Sequence, residues 1–376
     1  MGLRTGERVA ILGSYAPSLI NFRGPLIAEM IARGHRVVAL APGMTSDVAA
    51  ALRALGAEAR EVSLASNPLN PIALASSLRS LERMFREIRA SALISYTIQP
   101  ATLGVIAAAR AGVPTILPLI TGLGYAFGEG KSLKRKLSRG GAILLYRWAL
   151  AKSSVVIFQN QDDRCDLERV GAYRPSTPSI VVNGSGVDID AFHPLPLPAT
   201  PSFLMVARLI REKGVFEYAE AAKRLKARHP HARFALAGWI DGSPTSIRPA
   251  DVKRMSEGGV EFLGKLSDVR PALAAASVFV LPSGYREGVP RSALEAMAMG
   301  RPIVTCDSPG CRETVVEGEN GLLVPPFDAD ALCAAMQRFI ADPSLSARMG
   351  RRSRTLAEEK FDVRTVNRAI LEAAGL

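Results

Sequence analysis

Four ionisable side chains in two short runs have the types and spacing for chemistry: Arg208, Lys213, Glu287 and Glu295. The first run is Val206-Ala-Arg208-Leu-Ile-Arg211-Glu-Lys213-Gly214, where an apolar stretch opens into a loop and then a helical pattern. Two cations at such a turn suit a diphosphate. A guanidinium grips phosphate oxygens through paired donors, and an ammonium acts as a point charge. The second run is Glu287-Gly-Val-Pro-Arg-Ser-Ala-Leu-Glu295. Pro290 suits the first turn of a helix, whose free N–H groups offer another seat for phosphate. Carboxylates accept hydrogen bonds from sugar hydroxyls. This spacing puts Glu287 in the loop and Glu295 on the helix, so the two need not point the same way. Taken singly, the runs fit a basic surface turn and a helix with two solvated glutamates equally well.

Elements that could hold these residues follow from the hydropathy pattern. Short apolar strands are expected at Val9–Leu12, Val37–Leu40, Ala57–Val62, Ala92–Thr97, Val113–Leu117 and Val155–Phe158. Helical periods fall at Pro25–Arg33, Asp47–Leu55 and Leu74–Arg89. Alternation of this kind, with strands apolar throughout, predicts an α/β fold with a parallel sheet covered on both faces. The proline-rich run His193–Pro201 reads as a semi-rigid linker. Beyond it the pattern restarts, with strands at Phe203–Val206, Phe234–Ala237, Glu261–Leu263, Val278–Leu281 and Pro302–Thr305, and helices at Val215–Arg228 and Arg291–Met299. Two similar domains are therefore expected, 1–192 and 193–357, facing each other across a cleft. Ligands in such sheets bind at the carboxyl ends of the strands.

With 376 residues, 48% apolar and 22% charged, the composition excludes global disorder, collagen-like repeats and a small disulfide scaffold. Lys and Arg number 47 against 35 acids, a net charge of +12 that favours anionic partners. Four cysteines and four histidines form no zinc-type spacing, which suggests a reducing cytosolic compartment and no metal. The first apolar run, Val9–Leu12, is too short for a signal peptide. Ala90–Ala109 is 20 uncharged residues, but Gln99-Pro100 interrupts it, so a buried strand, a turn and a packed helix are expected rather than a membrane span. Residues 130–161 hold seven basic side chains and no acid. There Lys131, Lys134, Arg135 and Lys136 begin a basic amphipathic helix suited to an anionic bilayer, with Tyr146 and Trp148 as apolar anchors if they face it; the alternative is a solvated basic face with its apolar side in the domain core. No nucleic-acid reader motif occurs.

In order along the chain come Val206–Gly214, Leu236-Ala-Gly238, Phe262-Leu-Gly264 with Asp268-Val269, Val280-Leu-Pro-Ser283, Glu287–Glu295 with Ala296-Met-Ala-Met-Gly300-Arg-Pro302, and Asn320-Gly321-Leu-Leu-Val-Pro325. This series resembles the nucleotide-binding domain of family 4 retaining glycosyltransferases, which have the GT-B fold of two Rossmann-like domains. Val182-Asn183-Gly-Ser-Gly-Val-Asp188 with Phe192 resembles the family's interdomain segment. The resemblance implies that Arg208 and Lys213 hold the donor diphosphate, Glu287 the donor sugar and Glu295 the ribose. The amides of Gly288 and Val289 would touch the donor as well, and the base would lie near Leu263 and Gly264. By the same likeness the last helix, about 358–376, packs back on the first domain. After the first strand the family's double-glycine loop is replaced by Gly13-Ser-Tyr-Ala-Pro-Ser-Leu-Ile-Asn-Phe-Arg23-Gly24-Pro25. That stretch, with Thr121-Gly-Leu-Gly-Tyr-Ala-Phe127 and Arg286–Ser292, resembles a subgroup of α-1,3-N-acetylgalactosaminyltransferases acting on undecaprenyl-diphosphate-linked sugars. Arg23 then joins the acceptor side.

The implied activity is transfer of a sugar, N-acetylgalactosamine or another N-acetylhexosamine, from a UDP-sugar to a polyprenyl-diphosphate-linked saccharide. Configuration would be retained, with no metal and no cofactor beyond the UDP-sugar co-substrate, at the inner face of the cell membrane. A nucleotide-sugar epimerase and a non-enzymatic anion- or membrane-binding protein are the competing classes. Two motifs are set aside. Gly122–Ser132 fails the P-loop pattern because Tyr125 stands where a glycine is required. Asp188-Ile-Asp190 and Asp328-Ala-Asp330 match a metal-binding Asp-x-Asp, but one falls in a turn and the other where a helix cap is expected.

Overall fold

The computed structural model describes residues 6–65, 70–127 and 133–376, with backbone only at 125, 126 and 133–138. The chain divides into two compact units, Met1–Ser185 with Val363–Leu376, and Gly186–Asp362.

Among the described residues the first unit is built on seven strands: β1 (Arg8–Leu12), β2 (Arg36–Ala41), β3 (Glu58–Glu61), β4 (Ala92–Tyr96), β5 (Thr115–Ile120), β6 (Val156–Phe158) and β7 (Ser179–Val181). They pair in parallel in the order β3-β2-β1-β4-β5-β6-β7. Strand side chains alternate between faces, and both faces here are covered. Val9 and Ile11 enter one core cluster with Leu26, Ile27 and Met30. Ala10 and Leu12 enter the opposite one with Leu81, Phe85 and Val105. That double coverage is why the central strands read as unbroken apolar runs. The edge strand β3, by contrast, is Glu-Ala-Arg-Glu and only half buried, as suits an edge guarded by charge.

Ala90–Ala109 resolves into β4, a π-helical turn at Pro100–Gly104 and the start of helix Val105–Ala111. Among the described residues no helix is long and apolar enough to cross a membrane. Near the end of the chain, helix Pro343–Lys360 stays in the second unit and helix Val363–Ala374 joins the first. Val366, Ile370 and Leu371 complete the cluster that holds Leu26 and Ile27.

The second unit repeats the plan with β8 (Ser202–Arg208), β9 (Arg233–Trp239), β10 (Val260–Gly264), β11 (Val278–Leu281), β12 (Ile303–Cys306) and β13 (Gly321–Val324). All are parallel, in the order β10-β9-β8-β11-β12-β13. The proline-rich run is not the linker expected from its composition. It lies inside this unit, and the chain passes between units at Ser185–Gly186. The cause is Arg301, 1% exposed, whose guanidinium donates to the carbonyls of Leu195 at 2.8 Å and Leu273 at 2.9 Å. Proline lacks an N–H but leaves carbonyls available nearby, and here a buried cation takes them.

Candidate active site

Strand order reverses between β8 and β11. They are neighbours, yet β8 leads to β9 on one side and β11 to β12 on the other. Loops leaving such a pair diverge and open a crevice at the carboxyl ends of the strands. Arg208 is the last residue of β8, and Lys213 closes the short 3₁₀ turn Arg211–Lys213 beyond it. From β11 the loop 282–290 carries Glu287 to helix Arg291–Ala298, whose N-cap is Pro290. Topology thus brings together residues nearly eighty positions apart.

Lys213 Nζ lies 2.5 Å from Glu287 Oε2, and both side chains are nearly buried, at 10% and 12% exposed. Ser283 Oγ donates to the other Glu287 oxygen at 2.7 Å and accepts from the Tyr285 amide at 3.2 Å. Both cations border the Tyr285 ring, with the Arg208 guanidinium carbon 5.9 Å and Lys213 Nζ 5.7 Å from its centroid.

Two glycines let the loops close this tightly. Gly214 has φ +75°, and a Cβ there would stand 2.0 Å from the Pro282 carbonyl oxygen. Gly310 has φ +84°, and its Cβ would stand 1.6 Å from the Gly288 oxygen. Only glycine accommodates both demands. Ser308 Oγ adds a 2.7 Å bond to the Ser283 carbonyl.

Arg208 bonds Asp241 Oδ2 at 3.0 Å. Asp241 Oδ1 accepts from the Ser243 amide at 3.0 Å and from the Ser246 hydroxyl. Partial burial pushes this carboxyl up, but the two serines and the Arg208 charge together hold it down at about 2.

Glu295 is held within its own helix. It sits one turn into the helix, 2.8 Å from Arg291 Nε. Burial raises its pKa against the opposing pull of Arg291. Gly288 and Val289 are buried in the loop between. Leu263 and Gly264 end β10, two strands from β8, where Lys265 Nζ lies 5.5 Å above the neighbouring Trp239 ring.

In the first unit Arg23 is 2% exposed, its guanidinium 4.9 Å above the Tyr96 ring. It is a buried one among the residues expected on the acceptor side. The Tyr96 hydroxyl pairs with Ser18 Oγ at 2.8 Å, and a Cβ at Gly13 would collide with it at 2.4 Å. A single glycine therefore provides close approach at this unit's own reversal, between β1 and β4. Lys131 lies outside the described residues. Lys134, Arg135 and Lys136 fall in the first turn of helix Leu133–Leu150. Farther along, Tyr146 is buried at 1% and is no anchor, whereas Leu144 and Trp148 are 58% and 67% exposed. Trp148 borders an open groove of about 620 Å³ with Arg110, Arg147, Lys152 and Arg174.

Both Asp-x-Asp motifs have local work. Asp188 accepts from the amides of Asp190 and Ala191, and Asp328 caps helix Ala329–Ala341. Among the described residues no three His, Cys, Asp or Glu gather as metal ligands.

Sequence reasoning missed Asp241, Ser283, Tyr285 and Gly310. Gly310, after Ser308-Pro309, carried a turn signal. Asp241 carried none, since its partner is set by the adjacency of β8 and β9.

Comparison with known proteins fits this geometry. A model for a glycosyl transferase 4-like domain matches residues 23–186, and one for glycosyl transferases group 1 matches 200–342. The N,N'-diacetylbacillosaminyl-diphospho-undecaprenol alpha-1,3-N-acetylgalactosaminyltransferase of Campylobacter jejuni is 28% identical, over 90% of each chain. A putative colanic acid biosynthesis glycosyltransferase of Escherichia coli is 34% identical over 54% of this chain and 52% of its own. Among solved structures, Anabaena HepE in complex with UDP superposes with a TM-score of 0.76 at 18% identity, covering 97% of this chain and 98% of its own. With one domain model on each side of the passage between its units, and this fold beneath them, the chain belongs to the group 1, family-4-like glycosyltransferases of GT-B architecture.

Proposed function

We propose that the second unit binds a UDP-sugar and that the chain transfers its sugar, with retention of configuration, to a polyprenyl-diphosphate-linked saccharide. N-acetylgalactosamine is the sugar best supported, and bacterial glycan synthesis is the setting. The observation that carries this reading is the convergence of Arg208, Lys213 and Glu287 around Tyr285 at the strand reversal. Preorganised cations lower a barrier where charge grows in the transition state. The departing diphosphate supplies that charge, and Arg208 and Lys213 would meet it without a divalent ion. Glu287, oriented by Ser283, can accept from sugar hydroxyls while holding Lys213 in place. Support for the substrates comes from two relatives. The Campylobacter enzyme is named for a diphospho-undecaprenol acceptor, and the Anabaena protein is solved with UDP and with UDP and glucose.

In this reading the chain meets its lipid-linked acceptor from the surface of the inner membrane. Helix Leu133–Leu150 supports peripheral contact, with basic residues in its first turn and Leu144, Arg147 and Trp148 exposed farther on. Cations near an anionic surface contribute about 1 kcal/mol each and are screened by salt.

The test is a screen of UDP-sugars against polyprenyl-diphosphate-linked saccharides in excess chelator, with the anomeric configuration read from the product. Arg208→Ala and Lys213→Ala should each lower turnover about a hundredfold, the usual cost of one lost transition-state donor. Near-normal turnover in both variants overturns the assignment, as does activity that magnesium or manganese alone restores.

A further inference from the structure

We propose that Asp241 is a positioning residue for this transfer, holding the Arg208 guanidinium beside Tyr285 where the leaving diphosphate needs it. The inference rests on the reading of Arg208 given above and adds a residue to it.

The Arg208 side chain is 39% exposed and borders the Tyr285 ring on one side, with the Asp241 carboxylate as its ion-pair partner. The Asp241 side chain, at 16%, is the less exposed of the two, although the residue as a whole lies at the surface. Its second oxygen is already committed to the Ser243 amide and the Ser246 hydroxyl. The carboxylate is therefore fixed first, and the guanidinium follows. The segment bearing Asp241 is itself fastened to the loop that bears Lys213. Arg211 N donates to the Thr245 carbonyl at 3.0 Å, Ile247 N donates to the Leu209 carbonyl at 2.9 Å, and Ile210 bridges Ser246 in antiparallel fashion. Both cations of the cluster thus hang on one frame, although Asp241 comes from the next strand over. Small misplacement of a charge-stabilising group can cost up to a hundredfold in rate.

The experiment is a double-mutant cycle on the full chain: wild type, Arg208→Ala, Asp241→Asn and the double variant. Asparagine keeps the shape and can still accept from Ser243 and Ser246, so only the pairing with Arg208 is weakened. Asp241→Ser, which also removes the charge, serves if the asparagine variant folds poorly. The readouts are kcat, KM for the UDP-sugar and the melting temperature. Asp241→Asn should lower kcat about tenfold or more, with KM changed less than kcat. In the Arg208→Ala background the same substitution should change kcat by less than twofold. Losses that multiply in the double variant would show that Asp241 does not act through Arg208 and would overturn the proposal. So would a wild-type kcat in Asp241→Asn when Arg208→Ala is crippled. Failure of the underlying reading looks different, because Arg208→Ala would then turn over normally on its own.

Discussion

Glu287→Gln is the substitution whose effect the geometry specifies most fully. Glutamine keeps the shape of the side chain and can still accept from Ser283 Oγ, so the change isolates the charge. Lys213, 10% exposed and 2.5 Å from the lost carboxylate, is left without its counter-ion. Removing one partner of a buried pair costs about 3–5 kcal/mol. Since both groups retain some water, about 2–3 kcal/mol is expected. For a domain the size of residues 186–362 each kcal/mol moves the melting point about 2–4 °C, so the second unit should melt roughly 5–10 °C lower. Lys213→Met with Glu287→Gln should recover most of that loss, because removing both charges removes the desolvation penalty with them. Turnover should remain at least about a hundredfold down in both variants, since a group acting in the transition state stays missing. The assay can be specific to the unit. The chain has two tryptophans, and Trp239 is the one in the second unit. In a Trp148→Phe background its fluorescence follows that unit alone. If Glu287→Gln melts within about 1 °C of the parent, or if the double variant is less stable than the single, the pair is not the buried, mutually dependent unit described here.

Gly310→Ala should destabilise the second unit by about 2 kcal/mol or more, measured by urea unfolding, because its Cβ would strike the Gly288 carbonyl at a positive φ. Asp241 sets an acid limit. Its folded pKa, near 2, lies below the ordinary 3.8, so its stabilisation is present above about pH 4 and lost as pH falls toward 2. Relative to Asp241→Asn, wild type should lose its advantage across that window in thermal melts. Lys134/Arg135/Lys136→Glu and Trp148→Ala should each weaken sedimentation with anionic vesicles, the former mainly at low salt. Binding unchanged by either substitution would leave helix Leu133–Leu150 a solvated face.

What the sequence revealed and what it concealed divide along a physical line. Arg208, Lys213 and Glu287 were legible because they sit at the end of an apolar strand or in the loop after one, and strand ends in parallel sheets are where ligands sit. The central strands were legible because burial on both faces leaves no polar position to confuse them. By contrast β7 is three residues, two half-buried and one exposed, and gives almost no signal. Asp241 was hidden because its tie to Arg208 spans 33 residues and depends on which strands pair. The burial of Arg23 was not legible, because only the tertiary fold puts the Tyr96 ring beneath it. Tyr146 and Trp148 are two positions apart, so they point to different sides of one helix. Grouping both as anchors overlooked that spacing, and packing puts the tyrosine in.

The return of helix Val363–Ala374 to the first unit makes the second an insertion in the first's chain path. Domains generally fold as units, with the N-terminal one first as it leaves the ribosome. Here the residues of the first unit cannot finish their core until Val366, Ile370 and Leu371 arrive. Throughout synthesis of the second unit, Leu26, Ile27 and Met30 lack that cover. The second unit, made entirely of one continuous stretch, is free to complete itself first. Order of completion therefore runs opposite to order of synthesis, and the nascent chain carries an open apolar patch until the returning helix is made.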